Sequence, residues 1–281
     1  MLFYLRSITR ISGLNYVKQN YSTSNKLISI IKNDNTDTSI ISMERAPVNG
    51  LNLELLQELK NSLITAQKDG SKGVILTSSL PTIFSGGLDI MEMYKPDMKR
   101  ARQFWEELQE TWLTLYGLGI PTAAAINGAC PAGGCLMAMS CEYRVFVNGK
   151  HTMGLNETKL GIVAPTWFKD VYISTIGYRR AELALLQGAL FLPQQALEIN
   201  LVDEIASNKE DALTKCQKFI DSFSKIPAIG RRATKLSLRD GIMNKLKKNR
   251  ESDVNVFLKY LENPFVQKGL DLYIQSLKKK N

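Results

Sequence analysis

Histidine is all but missing from this chain: His151 is the only one among 281 residues. Any Ser-His-Asp or Cys-His pair would have to use that one residue. It follows the turn-like Asn148-Gly149 and reads as a surface loop histidine. Cysteine is scarce too. Cys130, Cys135, Cys141 and Cys216 form no CxxC spacing, so a structural zinc site lacks ligands and no metal is expected. Cys135 and Cys141 fall in an apolar stretch and read as small core residues in a reducing compartment. No window approaches the roughly 20 apolar residues needed to span a membrane. There is no G-x-G-x-x-G; where Gly128 and Gly133 mimic a Walker A spacing, Gly134 stands in place of the required lysine, so both nucleotide readings fail.

Acidic residues are absent before Asp34. Arg6, Arg10 and Lys18 stand there among hydroxyl and scattered large apolar residues. This is the pattern of a mitochondrial transit peptide, expected over residues 1–25; a secretory signal would need a longer apolar run. The alternative is a disordered basic tail. The whole chain carries +9, and removing those three cations leaves +6. That balance suits an anionic ligand. Basic runs flanked by aromatic residues are missing, so a nucleic-acid partner is not expected, although an RNA-binding or assembly protein stays an alternative.

Hydrophobic residues, 44% of the chain, are ample for a globular core. Two short strands are expected within 26–44, then a helix over 51–69, a buried strand over 73–78, a second helix over about 97–118 and a buried strand over 121–126. A helix over 133–140 and a strand over 143–147 complete the alternation. From Phe168 onward the pattern is helical, interrupted only at 201–205. Strands alternating with helices imply right-handed crossovers and a largely parallel sheet, whose ligands collect at the carboxyl ends of strands.

Two glycine loops lie at such ends. One, GACPAGGCLMAMSC from Gly128, opens an apolar helix, and the other contains Gly86-Gly87. Amides at a glycine-rich helix start form an anion site without a charged side chain. Alone, Gly133-Gly134 would serve equally well to pack a helix on a strand. A second glycine pair after a different strand weakens that reading. About twenty residues on, GLNETKLG places Glu157 among apolar neighbours, which raises a carboxyl's pKa toward the range useful for moving protons. Asp89 and Glu92 are spaced as a capping box. Glu142 reads as a cap or turn residue.

These segments, with Glu44-Arg45-Ala46-Pro47-Val48-Asn49, Phe84-Ser85-Gly86-Gly87-Leu88-Asp89-Ile90 and Leu160-Gly161-Ile162-Val163-Ala164-Pro165, resemble the crotonase (enoyl-CoA hydratase/isomerase) superfamily over roughly Lys26 to Glu204. The resemblance implies a ββα spiral core over 26–205 and a helical C-terminal region over 206–281 that packs trimers. It implies an oxyanion hole made by the amides of Leu88 and Gly133, with Glu157 as the catalytic base. Substrate contacts are implied at Gly86, Gly87, Leu88, Asp89, Ile90, Gly133 and Asn156, and Arg45 and Lys268 are implied near the CoA phosphates. Trp167, Phe168 and Met91 are candidate walls of an acyl tunnel.

The family's hydratases carry a second glutamate directly after the GGC. Leu136 stands there instead. The expected activity is therefore isomerisation of 3-enoyl-CoA to trans-2-enoyl-CoA in β-oxidation, in the mitochondrial matrix, with an acyl-CoA substrate, no cofactor and a homotrimeric assembly. A hydratase or another acyl-CoA enzyme of the fold is the alternative.

Overall fold

The computed structural model describes residues 8–11, 14–18 and 26–278. The expected transit peptide lies outside the described residues except for two strands, β1 (Ile8–Ile11) and β2 (Leu14–Lys18), which continue the sheet by antiparallel pairing onto the strand that follows. β3 (Ile28–Asn33) and β4 (Thr38–Met43) form the expected hairpin. From β4 the sheet turns parallel through β5 (Gly73–Ser78), β6 (Thr122–Ile126), β8 (Tyr143–Val147) and β10 (Glu204–Ala206). Two-residue strands β7 (Cys130–Pro131) and β9 (Met153–Gly154) pair in parallel beside it.

The strand over Glu204–Ala206 corrects the expectation that strands end with Val147. Three residues are too short for a period-2 pattern to register, and their pairing with β8 is a tertiary event. Helix α1 (Leu53–Lys68) begins two residues later than expected. Leu51 is instead drawn into a parallel bridge with Leu88, and Asn52 caps the helix by accepting from the Leu55 amide at 3.1 Å. Helices α2 (Met98–Tyr116) and α3 (Gly133–Ser140) fall where the periodicity puts them. The remaining helices are α4 (Thr166–Ile176), α5 (Tyr178–Gln187), α6 (Pro193–Glu198), α7 (Lys209–Asp221), α8 (Ala228–Leu261) and α9 (Pro264–Lys278).

Successive strand residues face opposite sides, and both sides are covered. Ile41, Val74, Leu76, Ala124, Ile126 and Phe146 join the main core with α1 to α4 and the later part of α8. Ile40, Ile75, Ala123, Ala125, Val145 and Val147 pack against Ala212, Cys216 and Ile220 of α7. No described helix is long and apolar enough to cross a membrane.

Glu142, between α3 and β8, does anchor a turn, and it does more. Its carboxylate accepts from the Thr122 amide and pairs with Lys235, at 2.8 Å, and with Arg231, so it clamps α8 to the sheet. Burial pushes its pKa up, but the two cations outweigh burial and hold it below the usual carboxylate value.

Candidate active site

Construction of the site starts at Asn49, buried in the loop after β4 and held at a positive φ of 48°. Its Nδ2 donates to Ser78 Oγ at 2.7 Å and to the Phe84 carbonyl at 3.0 Å, while its Oδ1 accepts from the Arg45 amide at 2.8 Å. Ser85 Oγ donates to the Asn49 carbonyl at 2.8 Å and accepts from the Gly87 amide at 3.2 Å. The loop carrying Leu88 is thus fastened to the ends of β4 and β5. Asparagine tolerates the left-handed backbone and supplies the amide that makes the bracket. Both segments stand out in the sequence, but the network that joins them forms only across the fold.

The bridge to Leu51 uses the Gly87 carbonyl and the Asp89 amide, on one side of the strand. Leu88's own N–H points to the other side, where it has no acceptor among the described residues. Gly133 opens α3, so its N–H is one of the unpaired amides at a helix start. The two loops touch. A methyl group added at Gly133 would lie 3.2 Å from the Leu88 nitrogen, and one at Gly134 would lie 2.6 Å from the Ser85 carbonyl oxygen, closer than any side chain tolerates. Glycine at 134 is therefore a condition of the approach. Two amides without acceptors among the described residues, carried by loops in contact and one of them at a helix N-terminus, are the kind of donors that can hold a developing oxyanion.

Glu157 begins a 3₁₀ turn, Glu157–Leu160, closed by Gly161 in the left-handed region. It is 6% exposed, and its Oε2 has no hydrogen-bond partner among the described residues. Burial raises its pKa from 4.5 to about 7, only partly offset by a backbone hydrogen bond. It lines a narrow apolar cavity together with Leu88, Met93, Ile162 and Phe168. The far wall comes from the C-terminal helices: Phe257, Tyr260 and Leu261 of α8, and Val266 and Leu270 of α9. Phe257, Tyr260 and Leu261 close the site, while Phe265 is 86% exposed.

Of the other expected contacts, Asn156 adjoins Glu157 and keeps a buried Oδ1 without a partner among the described residues. Gly86 and Gly87 are held in the Leu88 loop, with the Gly86 amide donating to the Val48 carbonyl at 2.7 Å. Ile90 starts the 3₁₀ turn Ile90–Glu92 and packs on the core from partial burial. Asp89 caps that turn by accepting from the Met91 amide, and it pairs with Arg45 at 2.6 Å. The expected capping box is only half made: Glu92 turns inward to accept from the Leu53 amide and to pair with Arg100. Arg45 also donates to the Gly50 carbonyl, so the loop engages its guanidinium, whereas Lys268 is exposed on α9. Phe168 lines the Glu157 cavity, Trp167 lines a neighbouring one, and Met91, 63% exposed, lines neither. Leu136 is fully buried one turn into α3, and all four cysteines are free and buried.

The enoyl-CoA hydratase/isomerase family matches residues 35–280. The chain belongs to this family. Among enoyl-CoA hydratase/isomerase proteins, it is 43% identical over 259 residues to mitochondrial enoyl-CoA delta isomerase 1 of Rattus norvegicus, covering 92% of this chain and 89% of that one. It is 41% identical to the Homo sapiens protein of the same name, over 85% of this chain and 80% of that one. The crystal structure of human mitochondrial delta3-delta2-enoyl-CoA isomerase superimposes with a TM-score of 0.88 at 38% identity, covering 91% of this chain and all of the other. An enoyl-CoA hydratase from Bacillus halodurans, at 22% identity and a TM-score of 0.79, shares the fold.

Proposed function

We propose that this protein isomerises 3-enoyl-CoA thioesters to trans-2-enoyl-CoA during β-oxidation of unsaturated fatty acids. The observation that carries the reading is a buried carboxyl, with no partner on Oε2 among the described residues, sharing a cavity with Leu88, whose loop packs against the Gly133 turn. The likeness to enoyl-CoA delta isomerases supports it.

In the proposed cycle the Glu157 carboxylate takes a proton from C2, and the electron pair moves into a dienolate whose oxygen accepts from the Leu88 and Gly133 amides. Donors aimed at that oxygen act mainly in the transition state, and loss of one typically costs about 10²–10³ in rate. The Glu157 carboxyl then returns the proton to C4. The double bond has moved into conjugation with the thioester, and no electrons enter or leave, so the chemistry requires no cofactor. A base with a pKa of about 7 suits both halves, because it is available as carboxylate near neutrality and still a competent acid. Leu136 offers no group to orient water, which argues against fast hydration.

Substrate contacts through Asn156 and the Gly86–Ile90 loop, a cleaved leader over residues 1–25, the matrix location and a homotrimer belong to the same proposal. The mitochondrial relatives support the location, and exposed apolar residues such as Tyr178, Leu186, Ile229 and Leu238 support an assembly surface. The test is turnover of a 3-enoyl-CoA, followed by the ultraviolet absorbance of the conjugated product, with wild type and Glu157→Gln. Wild-type turnover falling by several orders of magnitude in the variant, with CoA-ester binding kept, is expected; equal turnover by the two would overturn the assignment.

A further inference from the structure

Two requirements on the Glu157 carboxyl pull against each other. A hydrogen bond from a neighbouring side chain to its charged form would orient it and would also lower its pKa. Its Oε2 has no partner among the described residues, and the hydrogen bond that bears on its pKa comes from its own backbone. Orientation must therefore come from the segment that carries it. That segment, Glu157–Leu160, is one 3₁₀ turn, closed by backbone bonds from Gly161 to Thr158 at 3.1 Å and from Ile162 to Glu157 at 3.2 Å. Bond geometry in such turns is poorer than in an α-helix, and fixing a single turn costs more conformational freedom than its few bonds return.

Two side chains grip the turn, one near its start and one at its close. Thr158 Oγ1 donates to the Leu185 carbonyl at 2.6 Å. That carbonyl is among the last four of α5, which lack the ordinary intrahelical donor, and the Gly188 amide reaches it only at 3.2 Å. Gly188 ends α5 at a φ of 55°; a methyl group there would lie 2.9 Å from Lys159 Cγ and 3.2 Å from the Lys159 nitrogen, so the end of α5 is pressed against the turn. From α8, Tyr260 Oη donates to the Gly161 carbonyl at 2.9 Å. Helix α9 approaches the same stretch, where a methyl group on Gly269 would lie 3.3 Å from the Leu160 carbonyl.

We propose that Thr158 and Tyr260 are positioning residues for Glu157, pinning its turn to α5 and α8 so that a carboxyl without a side-chain partner keeps one orientation and stays out of water. This rests on the isomerase reading and adds to it the device that aims the base. Both hydroxyls act on backbone carbonyls, not on the carboxyl itself. Thr158 is exposed and lines neither the Glu157 cavity nor the neighbouring one. The titratable groups that face Glu157 are Cys135 of α3, Tyr172 of α4 and Tyr260 of α8, and burial pushes each of them up, so all are neutral near pH 7. Helix α9 presents Val266 and Leu270 there, and Lys159, in the turn itself, is exposed. A titration near neutrality therefore reports Glu157.

The experiment measures kcat and KM for 3-hexenoyl-CoA from pH 5 to pH 9 in wild type, Thr158→Val, Thr158→Ser and Tyr260→Phe, with denaturant unfolding of each at pH 4 and pH 8. Losing either hydroxyl should lower kcat by about ten- to a hundredfold, the order of loss that a misplacement of about 1 Å produces, and in Thr158→Val KM should stay within about twofold. As water reaches the carboxyl its pKa should fall from about 7 toward 4.5, moving the acid limb of kcat/KM to lower pH by about one unit. Thr158→Ser, which keeps the hydroxyl, should restore both. Wild type loses stability as pH rises through the raised pKa of Glu157, and a variant with a lower folded pKa loses less, so the deficit of Thr158→Val should shrink between pH 4 and pH 8. An equal deficit at the two pH values with kcat and the acid limb unchanged would overturn the proposal, as would a Thr158→Ser protein that behaves like Thr158→Val. A wild type that turns over no 3-enoyl-CoA would overturn the isomerase reading, and the unfolding comparison would then decide the pinning on its own.

Discussion

Replacing Glu157 with Gln should make the protein more stable at pH 8 while removing its activity. Burial lifts this carboxyl from 4.5 to about 7, which means that ionising it inside the cavity costs free energy that the unfolded chain does not spend. A group whose folded pKa is raised contributes its full stability below the unfolded value and loses it as pH climbs through the folded value; here the window runs from about 4.5 to about 7. At about 1.4 kcal/mol per pH unit, wild type should have lost roughly 3 kcal/mol by pH 8 relative to a side chain of the same shape that cannot ionise. Near pH 4 both side chains are neutral and both leave one polar atom unpaired, so the difference should shrink toward zero. Denaturant unfolding of the two proteins at matched concentration, from pH 4 to pH 8, reads this directly. A gap that opens with rising pH is expected; curves that run parallel across the range would refute the argument that the carboxyl is held in an apolar cavity without a partner.

Three further outcomes follow from particular contacts. Gly134→Ala places a methyl group 2.6 Å from the Ser85 carbonyl, so unfolding stability should drop by about 1–3 kcal/mol and kcat by about a hundredfold as the Leu88 amide is pushed away, with a smaller change in KM. Asn49→Ala strands the Ser78 hydroxyl and Phe84 carbonyl and asks alanine to hold a positive φ; a loss of about 1–3 kcal/mol together with lowered kcat is expected, measured by unfolding and steady-state kinetics. Glu142→Gln leaves buried Lys235, whose pKa burial already lowers to about 8, without its counter-charge. Removing one partner of a buried pair typically costs about 3–5 kcal/mol, so a marked loss of stability with unchanged activity per folded molecule should be seen.

Much of this site could be read along the chain because its parts are local. In the proposed site Gly133 and Leu88 act through backbone amides in loops that follow strands, and glycine at such places signals a tight approach whatever surrounds it. Glu157 was legible from its apolar neighbours for the same reason. The C-terminal wall was not: Phe257, Tyr260 and Val266 show only that helices have an apolar face, and nothing local says that this face closes over Glu157 instead of a neighbouring subunit. Asn49 escaped notice because its work is done across long sequence separations, to Ser78 and Phe84. Glu92 misled in the opposite way. Its spacing from Asp89 satisfies a local rule, but Arg100 and the amide of Leu53 offered a buried carboxylate better partners.

In the proposed cycle one carboxyl carries the proton from C2 to C4 within a cavity that excludes water. Turnover in ordinary water of a 3-enoyl-CoA deuterated at C2, with the product's C4 analysed by mass spectrometry or NMR, measures that transfer. A substantial share of the label retained at C4 is predicted. Complete replacement by solvent hydrogen, at a rate of product formation that still depends on Glu157, would contradict it.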